Sequence, residues 1–104
     1  MTTATPVLDT LTEITTASIE HSHLGPRETM LARIAALVAV DAPPASYLAN
    51  ASTAMESGIT EEDIEDVLVA VAPVVGTAKI VSASGNLMRA LGFAIAATEE
   101  DIEG

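Results

Sequence analysis

No cysteine occurs in these 104 residues, so disulfides, thiolate metal sites and thiol redox chemistry are excluded in any compartment. Aromatic residues are almost missing as well, with one Tyr, one Phe and no Trp. Basic residues number four against fifteen acidic ones, giving a formal charge of -11. Phosphate contacts need clustered Lys and Arg, and here the general field repels polyanions, so neither nucleic acid nor an anionic membrane surface is expected as a partner. Long hydrophobic runs are absent too. The longest mostly apolar stretch, Val67 to Ala78, is too short to span a bilayer and carries Pro73. Met1 to Pro6 has no basic segment followed by an apolar run, so no secretory signal is expected, and the chain reads as cytoplasmic.

What is present is aliphatic. Hydrophobic residues make up 49% of the chain, and the abundant Ala favours helix over strand, so the composition predicts an all-α fold. A chain of this length builds one domain over residues 1–104, but such a domain buries only about two-thirds of its unfolded surface and is marginal alone. A core of Ala and Val contributes less per residue than one of Leu and Phe. The hydrophobic excess is therefore read as an interface, and a homo-oligomer is expected.

Five helices are predicted. The first, Pro6 to Glu20, opens on a proline suited to a first turn and sets Val7, Leu8, Leu11, Ile14 and Ile19 along a broad stripe. Gly25 and Pro26 break the pattern. The second helix, Pro26 to Val40, repeats Met30, Leu31, Ile34, Leu37 and Val38 at helical spacing and reads as buried on most sides. Pro43 and Pro44 end it, and Pro44 starts a third helix that runs to Glu56 or Ser57. Gly58 fits a left-handed closing position. Thr60 with Asp63 then makes an N-cap, and the fourth helix carries Ile64, Val67, Leu68 and Val71 inward until Pro73 and Gly76 interrupt it. A last helix is expected from Thr77 to Ala97, weakened around Gly85 and Gly92. Residues 1–5 and the acidic tail 98–104 are expected to fray.

Several of these features form a recognisable set. An Arg-Glu pair (Arg27, Glu28) opens a buried helix, a short polar helix follows, Gly58 to Ile64 reads Gly-Ile-Thr-Glu-Glu-Asp-Ile, and Val75 to Ala78 reads Val-Gly-Thr-Ala. From Pro26 to Leu91 the chain thereby resembles the carboxymuconolactone decarboxylase and alkylhydroperoxidase-like family. The resemblance implies a helical domain assembling as a trimer or hexamer. It also implies a Cys-x-x-Cys-x-x-His or a lone His on the third helix. Counting back from Gly58, the family's histidine falls on Asn50 and its two cysteines on Tyr47 and Pro44. Asn takes no proton at neutral pH, Tyr titrates far too high to replace a reactive thiol, and Pro has no functional side chain. Peroxide reduction through a dithiol is excluded. The family's relay glutamate would fall on Ala32, whereas Glu28 sits one turn earlier and suits the positive end of its own helix dipole.

The remaining candidates are weighed on chemistry. Arg33 lies between Ala32 and Ile34 in an apolar run, where a charge must snorkel or find a partner: an inter-subunit salt bridge, or a clamp on a small carboxylated ligand. Tyr47 and Asn50, at i and i+3, share the face that carries chemistry in the family, and are candidates for a ligand pocket or, with Glu28, for catalysis. The competing reading packs Tyr47 as an interface aromatic with its hydroxyl at the edge. Lys79 and Arg89 read as solvated or paired with surface acids. His21 and His23 point to different sides of a helix and lack a third ligand, so no metal is expected, and no cofactor is implied. Two functions follow from this reading: a small-molecule-binding or structural oligomer, or a non-redox lyase of decarboxylase type holding a carboxylate with Arg33, Tyr47 and Asn50.

Overall fold

A computed structural model describes residues 5–92. Five α-helices follow one another: α1 (Pro6–His21), α2 (Pro26–Ala39), α3 (Pro44–Glu56), α4 (Glu61–Val75) and α5 (Thr77–Leu91). Proline stands in the first turn of α1, α2 and α3, where its missing N–H has no intrahelical partner to lose. α2 packs on α4 and α3 on α5, with α2 also reaching α3 and α5. Met30, Ile34 and Val38 run down α2 at four-residue spacing into a core completed by Tyr47, Ile64, Leu68 and Leu87. α2 is covered on most sides; beyond its first turn only Ala32 and Ala36 are exposed.

The stops are local. After α3, Gly58 takes φ 79°, its N–H reaches Met55 O at 3.1 Å, and the N–H of Ile59 reaches Ala54 O at 3.0 Å. That is the paired bonding of a helix closed by a left-handed residue, with Ile59 and Ala54 both buried beneath it. α2 ends the same way. There the left-handed residue is Asp41, φ 54°, a type that tolerates the conformation better than most side chains. Asp41 N–H meets Val38 O, and Ala42 N–H meets Leu37 O.

Two expected boundaries differ. Pro73 does not interrupt α4, which continues to Val75. A proline inside a helix frees the carbonyl four residues back, here that of Val69, and both residues are on the exposed side, where water takes the freed carbonyl. α5 ends at Leu91 rather than Ala97, with Gly92 at φ 75° as its left-handed cap. Of the ends expected to fray, 1–5 and 98–104, Thr5 is described as the residue preceding α1, while 1–4 and 98–104, with the stretch 93–97, lie outside the described residues.

A capping box opens α4: Asp63 N–H donates to Thr60 Oγ1 at 3.1 Å and Thr60 N–H to Asp63 Oδ2 at 2.9 Å. The same carboxylate accepts a two-pronged bond from Arg27 of α2, at 2.7 and 2.9 Å, while Arg27 also reaches Gly58 O at 3.1 Å. One guanidinium thus ties α2 to the end of α3 and the start of α4. Arg27 first, and then the Thr60 amide, hold the Asp63 carboxyl well below the usual carboxylate range. Because folding lowers this pKa, the contribution is complete above the unfolded value of about 3.9 and is lost as pH falls from there toward the folded value. Asp63→Asn should lower the thermal midpoint at neutral pH and flatten its decline on acidification from about pH 5 to about pH 2. Parallel melting curves for variant and parent across that range would remove this role from Asp63.

α1 stands apart. None of its residues is buried, and none of its α-carbons lies within 8 Å of one in another helix. The molecule is accordingly elongated, 52 × 31 × 24 Å with a radius of gyration of 14.8 Å, against about 13 Å for a compact domain of 100 residues.

Candidate functional site

The face of α3 that would carry the family's chemistry turns into the core. Tyr47 is only 3% exposed, and it lines a cavity of about 20 Å³ together with Asn50, Ile34, Leu37, Ile64 and Leu87. Its hydroxyl is buried and has no hydrogen-bond partner among the described residues. This corrects the reading of Tyr47 as an interface aromatic with its hydroxyl at the edge: helices α2, α4 and α5 close over it, and the ring fills the chain's own core. Asn50 donates one amide N–H back to Ser46 O at 2.9 Å, which leaves the second N–H and the oxygen uncommitted. Burial first, and the charge of Asp41 second, push the Tyr47 phenol up from its ordinary value. It stays a neutral donor at physiological pH. A space of this size holds about one water, and no carboxylate or imidazole lines it.

Arg33 is elsewhere. On α2 it is separated from Tyr47 and Asn50, and it borders a second cleft of about 130 Å³ between the base of α1, α2 and α3. Ile19, Leu24, Pro26 and Met30 supply the apolar part, and Thr29, Thr53 and Ser57 the hydroxyls. Half-buried Arg33 makes one long bond, from Nη2 to Ser18 Oγ at 3.4 Å, and no ion pair with any described carboxylate. Lys79 and Arg89 also lack an ion pair among the described residues, but each reaches a closer acceptor, at 3.0 and 3.2 Å, and neither borders this cleft. A guanidinium carries five N–H donors in a planar fork that matches a carboxylate, and most of them are uncommitted here.

The other candidates are further away. Glu28, in the first turn of α2, folds its carboxylate over Gly25, where an added Cβ would collide with it, and lines neither space. Exposed His21 and His23 are not gathered with other ligating side chains, and no group of three or more His, Cys, Asp or Glu meets among the described residues.

Lys79 is exposed, as expected, and pairs with no acid among the described residues. It donates to Ala39 O at 3.0 Å, at the carbonyl end of α2, where a cation also suits the helix dipole. It belongs to a row that sequence reasoning missed. Ser82 donates to Asp41 Oδ1 at 2.6 Å and Asn86 to Ala42 O at 3.2 Å, so α5 clamps the α2–α3 turn at three points. The spacing of Lys79, Ser82 and Asn86 along one helix face was the available signal. Arg89 lies over Gly85 and donates to Asn86 Oδ1 at 3.2 Å.

Comparison with known proteins adds one finding. The model of the carboxymuconolactone decarboxylase family matches residues 5–94. No curated protein and no solved structure matches the chain.

Proposed function

We propose, for a chain that belongs to the carboxymuconolactone decarboxylase family, a binding function on a scaffold from which the family's chemistry has gone. The chain is a self-associating helical module, a trimer or hexamer as the resemblance implies. It holds a small carboxylated molecule in the cleft between α1, α2 and α3. The observation that carries this reading is Arg33, a guanidinium without a carboxylate partner at the edge of a small, partly apolar cleft. About 130 Å³ is below the usual range of drug-sized pockets, about 300–1,000 Å³. It corresponds to about four water volumes at ~30 Å³ each, which suits a short aliphatic acid. The carboxylate would lie on Arg33, with the Thr29 and Thr53 hydroxyls available to its oxygens, since Ser57 already donates to Thr53 O at 2.8 Å, and the tail against Ile19, Leu24 and Met30.

Binding is favoured over turnover for a chemical reason. Proton transfer needs a group that titrates near the working pH within hydrogen-bond reach. The cleft is lined by neither carboxylate nor imidazole, and the core cavity offers only a neutral phenol and an amide. A lyase using Arg33, Tyr47 and Asn50 together would also need them around one space, and they border two.

Titration of the ¹⁵N-labelled protein with acetate, propionate, butyrate and succinate tests the reading. Saturable shifts confined to residues 18–33 and 53–57 are expected, and Arg33→Gln should weaken binding at least tenfold while Lys79→Gln leaves it unchanged. No saturable shift with any of these acids, or equal binding by Arg33→Gln, would defeat it.

A further inference from the structure

α1 has sixteen residues, and among the described residues no other helix packs against it above its base, where Ser18 and Ile19 meet Arg33 and the cleft. Isolated helices of about this length are marginal in water even when rich in Ala. This one carries Thr10 and Thr12, which bond back to their own helix carbonyls, and Thr is a poor helix former. Its apolar side chains are nonetheless ordered into a stripe. Val7, Leu8, Leu11 and Ile14 are 54–71% exposed along one side, and at about 100° per residue Asp9, Glu13 and Glu20 fall on the opposite side.

A matching receptor lies on the far side of the bundle. Between α2 and α4 runs an open groove of about 450 Å³ lined by Leu31, Ala32, Ala35, Val67 and Ala70. Val74, 85% exposed, continues the same face one turn on. Small side chains there let another helix approach closely. At ~1.5 Å per residue, positions 7–14 of the stripe span about 11 Å and positions 27–35 of α2 about 12 Å. Charge permits the fit: Asp63 at the rim is already paired with Arg27, leaving Asp66 as the one lining carboxylate without a guanidinium. Two acidic chains can therefore meet here with the carboxylates of α1 facing away.

We propose that α1 is an exchanged arm whose stripe docks in the α2–α4 groove of a second copy of this chain. Its own groove is out of reach. The short link Ser22 to Gly25 leaves Ile19 and Leu24 in the cleft beside Thr29 and Arg33. Those two residues face the opposite side of α2 from Leu31 and Ala35. With on the order of 100 Å² of apolar surface per aliphatic side chain, four stripe side chains against an equal area of groove bury about 800 Å². That falls short of the ~1,200 Å² typical of a stable pair. The arms are therefore used in a closed set, reciprocal or cyclic, in which every copy engages twice. This inference rests on the self-association in the functional reading above, and is independent of the ligand.

The absence of cysteine makes the test clean. Leu11→Cys chains mixed with Ala70→Cys chains and oxidised should give a covalent heterodimer, well above anything formed by either chain alone. Separately, Leu11→Asp with Ile14→Asp should sediment as a smaller species while keeping the circular dichroism of the core helices, which meet α1 only at its base, where Arg33 reaches Ser18 and Ile19 lines the cleft, and not at Leu11 or Ile14. No heterodimer in the mixture, or a cross-link that forms only within a chain bearing both cysteines, would overturn the arm. So would an oligomer that the double variant leaves intact, although self-association would then stand. A parent protein that sediments as a monomer would overturn both. Binding of short acids at Arg33 is read separately and is unaffected by any of these outcomes.

Discussion

Replacing Tyr47 with Ala should lower the free energy of unfolding by about 3–5 kcal/mol, the range for deleting a buried aromatic ring, because the ring is 3% exposed and closes the core between four helices. Tyr47→Phe should behave oppositely, leaving stability unchanged or raising it. The phenol hydroxyl is buried without a partner among the described residues, and an unsatisfied buried donor costs about 1–3 kcal/mol. Denaturant unfolding of the pair therefore separates ring from hydroxyl. A loss of about 1 kcal/mol or more in Tyr47→Phe would mean that the hydroxyl is bonded, most simply to a water in the 20 Å³ cavity beside Asn50. The result bears on function, because a bonded, solvated phenol in that position is a polar site, whereas an unbonded one is core filler.

Leu87→Ala should cost about 2–5 kcal/mol, the transfer of the lost atoms plus the cavity left behind. Leu87 is 1% exposed and borders the same small cavity as Tyr47 and Asn50, so the deletion enlarges an existing defect rather than opening a fresh one. The neighbours are Ile34 and Leu37 on α2 and Ile64 on α4, two helices tied together by Arg27 and Asp63, which limits collapse into the space. A loss below about 1 kcal/mol by denaturant unfolding would show that the core relaxes freely. α5 would then be held mainly by its polar clamp of Lys79, Ser82 and Asn86 on the α2–α3 turn.

Much of this architecture was legible in the residues. Pro6, Pro26 and Pro44 mark three helix starts, Gly58 the end of α3, and Thr60 with Asp63 the start of α4, because each acts through bonds within about four residues of itself. Pro73 misled. Its cost depends on whether the freed carbonyl is wet, and that depends on which way the helix faces in the bundle. The site was read less well. Tyr47 and Asn50 do share a space, as i and i+3 on one face require, but Arg33 is not part of it.

The sequence by itself determined what this protein cannot do and which segments are helices. Without cysteine no dithiol chemistry is available; start and stop signals act over one turn and need no partner. Only the tertiary structure decided which groups meet. Arg27 finds Asp63 across 36 residues, and Lys79, Ser82 and Asn86 find the α2–α3 turn across 40 to 44. Tyr47 turns inward, and among the described residues Arg33 has no carboxylate partner and α1 meets no other helix above its base. Nothing within a few residues of any of these sets the outcome, because which face of a helix is covered is a property of the whole packing.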